Sequence, residues 1–166
     1  MKKVKIIAGL LAVAGALSTA HAVDKLITVT ASIDPSLDLT QADGSALPST
    51  VAMSYNPSAG LQDYTIQTRL YKTDTTNNVT MSLSTQPVLT SLNDTSKTIP
   101  LTVKYNGKEV TTTPWAASDA LSKDIFTDGQ SPAMPMVISA DNTNKSSWTA
   151  GEYQGVINLI VATVAP

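Results

Sequence analysis

Short runs in which apolar and polar residues alternate recur along this chain, and they limit its possible folds more than any other feature. Alternation places the apolar side chains on one face of an extended strand. The runs are separated by Gly, Pro, Asn and Asp, which favour turns for distinct stereochemical reasons. The pattern therefore predicts an all-β fold, a sandwich of short antiparallel strands in one domain.

The alternation also predicts where the strands lie and how two of them connect. Asn106-Gly107 separates two of the runs and can supply the positive φ angles of a two-residue hairpin turn. Only residues 116–126 could hold a short helix, with Thr113 or Ser118 as its cap. The predicted strands are residues 23–33, 51–55, 64–71, 78–83, 101–105, 108–112, 134–139 and 152–163.

Residues 1–22 have the three-part layout of a secretory signal peptide. A short cationic stretch precedes the apolar run 6–17, and the small residues Ala20 and Ala22 flank one position. The apolar run is shorter than the roughly 20 residues that span a bilayer. We expect cleavage after Ala22, so that the exported chain begins at Val23 in the periplasm.

The composition argues against several classes of function. The chain has no cysteine and one histidine, His21, which the predicted cleavage removes. Disulfides, thiol nucleophiles and thiolate zinc sites are therefore excluded, and no imidazole remains for base catalysis. Loss of Lys2, Lys3 and Lys5 reduces the 11 basic residues to eight against 13 acidic ones. We expect no nucleic-acid partner, no metal, no cofactor and no catalytic residue, since the scattered carboxylates propose no pair across a cleft.

The first predicted strand is unusual because it starts at the cleavage site. Ile27, Val29, Ala31 and Ile33 share one face, which has to be buried. Burying four or five apolar side chains contributes roughly 6–15 kcal/mol, comparable with the whole stability of a domain, about 5–15 kcal/mol. Such a strand can pair within its own domain or with the open edge of another copy. The pattern alone favours pairing within the domain.

Two stretches of the chain resemble a known family. Residues 23–39 with 41–48, and residues 150–160, are similar to the start and the final strand of mature major pilins of the class 5, or alpha, fimbriae. These are the pilins of colonisation-factor-antigen and coli-surface-antigen type. Residues 85–148 have no residue-by-residue match.

The resemblance implies an incomplete immunoglobulin-like β-sandwich completed by donor-strand complementation, in which the next subunit lends its N-terminal segment. It divides the chain into a signal peptide (1–22), a donor-strand extension (23–34) and the pilin domain (35–166). Pro35 joins the last two, either as a simple strand terminator or as a hinge set by its X-Pro isomer. The donor side chains expected in the acceptor groove are Val23, Ile27, Val29, Ala31 and Ile33.

The resemblance also implies partners and a location. The partners are neighbouring copies of the chain, a periplasmic chaperone of the alternate chaperone–usher pathway, an outer-membrane usher and a tip adhesin. Host glycan receptors are further candidates, because shaft subunits can take part in adhesion. The chain would pass through the periplasm into a fimbrium on the cell surface.

Two functions remain from these considerations. The first is the major structural subunit of a fimbria, polymerising by donor-strand exchange and supporting adhesion to host surfaces. The alternative is a self-complemented secreted glycan-binding module, or a minor or tip fimbrial subunit. The length of one domain favours a shaft subunit over a tip adhesin, which is expected to be larger.

Overall fold

The computed structural model describes residues 26–32 and 37–166. The predicted signal peptide lies outside the described residues, as do Val23, Ile33 and Pro35 of the predicted donor segment and hinge. Within the described part, strands dominate and the helices are three short 3-10 turns. No helix there is long and apolar enough to cross a membrane.

Twelve strands lie within the described residues. They are β1 (Leu26–Ser32), β2 (Leu37–Gln41), β3 (Thr50–Ala52), β4 (Tyr55–Asn56), β5 (Gly60–Leu61), β6 (Tyr64–Lys72), β7 (Asn78–Leu83), β8 (Val88–Ser91), β9 (Thr98–Tyr105), β10 (Lys108–Val110), β11 (Met134–Ala140) and β12 (Tyr153–Val164). The 3-10 helices are Ala117–Asp119, Lys123–Ile125 and Asn142–Ser147.

The strands form one curled sheet around a shared core. Their order is β2-β6-β11-β9-β8-β12-β1-β3, with β10 beside β9 and β7 beside β12, while β4 and β5 form a separate hairpin. β9 connects the two halves of the sheet, since Ile99 pairs with β8 and Val103 pairs with β11. Because the two halves face each other, their buried side chains meet in a single hydrophobic cluster.

The core follows from the alternation in the sequence. Every second residue is buried from Ile66 to Lys72 in β6 and from Ile157 to Val161 in β12, with residues between them that are exposed or half-buried. β9 and β11 repeat the pattern. The predicted all-β fold is therefore confirmed. The predicted strands at 64–71, 78–83, 134–139 and 152–163 agree with β6, β7, β11 and β12 to within a residue or so at each end.

The predicted Asn-Gly hairpin is also present. β9 and β10 are antiparallel neighbours joined by Asn106 and Gly107, whose φ angles are 48° and 82°. Positive φ at both central residues is what a two-residue turn with the right twist requires, and Asn and Gly adopt it most easily.

The strand predicted at residues 51–55 is wrong as a single element. The chain instead forms β3 at Thr50–Ala52 and, after a break, β4 at Tyr55–Asn56. After β4 the chain turns back, because the Asn56 side-chain oxygen accepts hydrogen bonds from the Ser58 backbone and hydroxyl, at 2.9 and 2.7 Å. This turn directs Tyr55–Asn56 into a hairpin with Gly60–Leu61 rather than along β3.

The helix predicted within residues 116–126 is also wrong in detail. Two separate 3-10 turns occur there, and neither Thr113 nor Ser118 caps them; Ser122 caps the second by accepting a hydrogen bond from the Asp124 backbone. A continuous helix cannot form because Leu121 exchanges two backbone hydrogen bonds with Val79, of 2.8 and 2.9 Å. The intervening residues are thereby held in extended conformation against the sheet.

Candidate functional site: a strand groove beside β12

The last strand of the chain, β12, has neighbours along both of its edges. On one edge its first residues pair with β8 and its last residues, from Leu159 onward, pair with β7. Leu159 pairs with Leu83 of β7 and also with Ala31 of β1, so β1 lies along the opposite edge. β12 is thus the centre of this half of the sheet.

β1 lies in a slot between β12 and β3. Leu26–Ser32 runs parallel to β12, opposite Gln154 to Ile160, and its first residues pair antiparallel with β3. Among the described residues, β3 pairs with no strand other than β1. We call this slot the strand groove, with residues 154–160 of β12 as one wall and Thr50–Ala52 as the other.

The register in the groove relates β1 to the buried row of β12. Ile27, Val29 and Ala31 are the backbone partners of three β12 residues, namely Gly155, Ile157 and Leu159. Ile157 and Leu159 are 2% and 1% exposed. The register therefore brings together three of the five predicted donor residues at positions opposite the core-facing row. Val23 and Ile33 lie outside the described residues.

Gly155 permits the close approach of β8 to the groove wall. A Cβ atom at this position would overlap the Val88 backbone carbonyl oxygen and would come within 3.2 Å of Leu89 Cδ2. A backbone oxygen in a paired strand cannot rotate away as a flexible side chain can. Glycine is therefore required here by packing between strands.

Replacing Gly155 with alanine is expected to destabilise the domain by about 1–3 kcal/mol, the usual cost of forcing an extra carbon into a packed interior. Urea unfolding followed by circular dichroism would measure the shift in midpoint. Gln154→Ala is the matched control, because Gln154 is the exposed neighbour on the same strand. Equal midpoints for the two variants would contradict the steric role of Gly155.

Several acidic side chains accept hydrogen bonds from residues close to them in the sequence. Four aspartates each accept a side-chain and a backbone hydrogen bond from the residue two positions ahead, which lowers the carboxyl pKa; they are Asp43, Asp74, Asp94 and Asp141. The Thr76 hydroxyl and N–H, with the Asn77 amide, lower the pKa of Asp74 to about 2. Hydrogen bonds from Lys123 and Ser122 lower the pKa of Asp124. A general acid needs the opposite shift.

No group of three or more His, Cys, Asp or Glu in the described residues could hold a metal ion. What the groove offers a ligand is the backbone edge of β12, along which β1 pairs, next to the buried side chains of Ile157 and Leu159. Such an arrangement recognises an extended peptide strand, since main-chain hydrogen bonds bind it and alternate side chains select it.

Sequence reasoning missed the second wall of the groove and the direction of its occupant. β3 was contained in a predicted strand, but alternation does not say which strands become neighbours. The same holds for direction, because a period of two residues is identical in parallel and antiparallel pairing. β2 and β8 were missed as strands; the five residues of β2 follow Pro35, and the four residues of β8 follow Pro87.

The chain as a whole is similar to several known proteins. The family model for the CS1 type fimbrial major subunit matches residues 23–162. A CFA/I fimbrial subunit of Escherichia coli is 37% identical over 147 residues, which cover 86% of each chain. A CS1 fimbrial subunit of Escherichia coli is 36% identical over 167 residues, covering 96% of this chain and 97% of its own. The solved CooA pilin of enterotoxigenic Escherichia coli matches with a TM-score of 0.67 and 29% identity, over 80% of this chain and 100% of that one.

Proposed function

The chain belongs to the family of CS1-type fimbrial major subunits, and on this basis we propose that each copy lends residues 23–34 to the strand groove of the copy before it. It is a structural subunit of a surface fimbrium, it polymerises with other subunits, and it is not an enzyme. The immunoglobulin-like fold predicted for such a pilin agrees with the described sandwich.

One observation carries the proposed mode of joining. β1 is the first described strand, and it fills a slot whose two walls, β12 and β3, are otherwise not paired with each other. Because β1 pairs only with those two walls, its removal would leave every other pair of neighbouring strands intact. A copy without β1 would expose the edge of β12, and exposed edges bind further strands.

The groove accepts the chain's own segment in the isolated subunit, where β1 runs parallel to β12. This pairing within the domain supports the alternative of a self-complemented monomer as one state of the subunit. In the polymer we propose that the same groove takes the segment of a second copy. Val23 and Ile33 extend the donor row at either end of Ile27, Val29 and Ala31, and Pro35 is the proposed hinge between segment and body.

An empty groove would need further partners before the subunit reaches the fibre. A subunit whose groove is empty exposes apolar surface and unpaired backbone, which favours aggregation. We therefore propose that a periplasmic chaperone fills the groove first, that an outer-membrane usher exchanges it for the next segment, and that a tip adhesin ends the fibre. Export through the periplasm by means of the signal peptide 1–22 belongs to the same proposal, as does binding of host glycans.

The test is complementation in trans. A chain lacking residues 23–34 is expected to unfold at markedly lower temperature than the 23–166 chain, and a synthetic 23–34 peptide is expected to restore the lost stability. A scrambled peptide of the same composition is the control. Differential scanning calorimetry and size-exclusion chromatography give the readouts. If the truncated chain keeps its melting temperature and binds neither peptide, residues 23–34 are not the joining element.

A further inference from the structure

An aromatic pocket lies at one end of the strand groove. Tyr55, Trp148 and Tyr153 line a cavity of about 200 Å³, and we call these three residues the aromatic notch. The Tyr55 and Trp148 rings are 6.4 Å apart between centroids and tilted by 50°. Tyr55 is 48% exposed and Trp148 is half-buried, so the notch presents aromatic surface to an incoming partner.

The notch is held in shape by hydrogen bonds on both of its sides. On the side of Tyr153, its hydroxyl donates to the Thr149 carbonyl oxygen at 3.1 Å and accepts from the Thr149 N–H at 3.2 Å. On the side of Tyr55, the Asn142 amide pairs with both backbone groups of Leu61, at 2.9 and 3.0 Å. These bonds fix the hairpin β4–β5 against the helix that precedes Trp148. A partner would thus meet a preformed site, at lower entropic cost.

The walls of the groove continue directly into the notch. Tyr153 is the first residue of β12, and Tyr55 follows closely after Ala52, the last residue of β3. Leu26 pairs with both Gln154 and Ala52, so this end of the groove is the one where β1 begins. Whatever enters or leaves the groove here passes the notch.

The direction of an exchanged strand decides what lies beside the notch. A parallel donor would place its body at the far end of the groove, near Ile160, where the acceptor's own β1 ends at Ser32, five residues before its β2 begins at Leu37. The donor's body and the acceptor's own N-terminal segment, leaving to join another copy, would then occupy the same end of the groove. Copies joined in this way could not continue into a fibre. An antiparallel donor puts its body at the notch and leaves the far end free. This head-to-tail arrangement can repeat as an open filament.

The connection between the donor's segment and its body is short, so the body has to contact the acceptor. If antiparallel pairing keeps residue 29 opposite Ile157, the donor's residue 33 lies opposite Tyr153. Its folded body starts at Leu37, and residues 33 to 37 span at most about 14 Å at ~3.3–3.6 Å per residue. The body of the donor copy therefore has to lie against the end of the sandwich that carries the notch.

We propose that the aromatic notch is the docking site for the body of the next copy of this chain, which rests on the proposed strand exchange. The groove binds the segment, and the notch fixes the angle and contact of the body that follows it. Half-exposed tyrosine and tryptophan suit this role, because aromatic residues at the centre of an interface contribute most to its stability.

The first test measures the environment of Trp148. Its fluorescence is obtained as the difference between the 23–166 chain and its Trp148→Phe variant, which leaves Trp115 in place. On polymerisation we expect emission at shorter wavelength and at least threefold weaker quenching by acrylamide. Unchanged quenching in intact filaments would overturn the proposal and would leave the notch open to a soluble ligand such as a sugar.

The second test separates docking from strand binding. The double variant Tyr55→Ala, Trp148→Ala is expected to form filaments that dissociate at least tenfold faster in denaturant. Tyr71→Ala, at a half-buried tyrosine on β6 outside both the groove and the notch, is expected to dissociate at the normal rate. In the truncated chain, the double variant should bind the 23–34 peptide within threefold of the unmodified affinity. Normal dissociation of the double variant overturns the docking proposal alone. Absence of peptide binding to the unmodified truncated chain overturns the strand exchange itself.

Discussion

Filaments are expected to be absent when Val29 is replaced by aspartate and present when Thr30 is replaced by aspartate. Val29 pairs in register with Ile157, which is 2% exposed, at the centre of the groove. Thr30 pairs with the half-buried Asn158 in the isolated subunit and would lie opposite the exposed Val156 in the proposed antiparallel register, so in either direction it belongs to the other face. On the groove-facing side that we propose for residue 29, a carboxylate would lose its hydration without gaining a partner, at a cost of several kcal/mol.

The effect of each substitution on binding to the groove can be measured with peptides. Binding of the 23–34 peptide to the truncated chain is expected to weaken about a thousandfold with Val29→Asp, which corresponds to roughly 4 kcal/mol. The Thr30→Asp peptide should remain within about tenfold of the unmodified one. Isothermal titration gives the affinities, and electron microscopy of the full-length variants shows whether filaments form. Similar losses at both positions would mean that the face assignment of the segment is wrong.

A loss of about 3–5 kcal/mol in unfolding free energy is expected for Trp115→Ala, the usual range for removing a buried large aromatic side chain. Trp115 is 8% exposed, and its indole N–H donates to the Glu109 carbonyl oxygen at 2.7 Å. The Lys108 ammonium lies 4.9 Å from the centre of the ring. The substitution would remove all three contributions and leave a cavity beneath β10.

Trp148→Ala is the matched control for this measurement, because Trp148 is half-buried and its indole contacts Tyr55 at the surface. Because Trp148 also packs against the core from outside, we expect the substitution to lower the unfolding free energy of the monomer by about 1–2 kcal/mol, within the usual range for single substitutions and less than Trp115→Ala. Urea titration of monomeric protein measures both variants under the same conditions. If Trp148→Ala were the more destabilising of the two, Trp148 would belong to the core and not to an interface.

The long alternating segments could be predicted from the sequence because their cause is local. In β6 and β12 a period of two residues matches a single buried face, and the Asn106–Gly107 turn follows from backbone stereochemistry. The division of residues 51–55 could not be predicted in this way, since Tyr55 pairs with Leu61 across a turn set by the side chain of Asn56, outside the run.

Only part of the candidate site could be predicted from the sequence. Alternation identified the face that Ile27, Val29 and Ala31 share, but a strand's neighbours and direction depend on distant residues such as Thr50–Ala52. The two tryptophans were equivalent in sequence terms. Their different roles follow from tertiary position, because Trp115 is buried within the core cluster and Trp148 packs against that cluster at the end of the groove.

The long pairing along β12 has a mechanical consequence for a fibre joined through it. A segment lying beside Gln154 to Ile160 is bound by hydrogen bonds that run across the strands. Tension along a head-to-tail fibre acts along the strands, so it loads these bonds in shear, and they share the force instead of opening one after another. A junction of this kind resists pulling far better than it resists peeling.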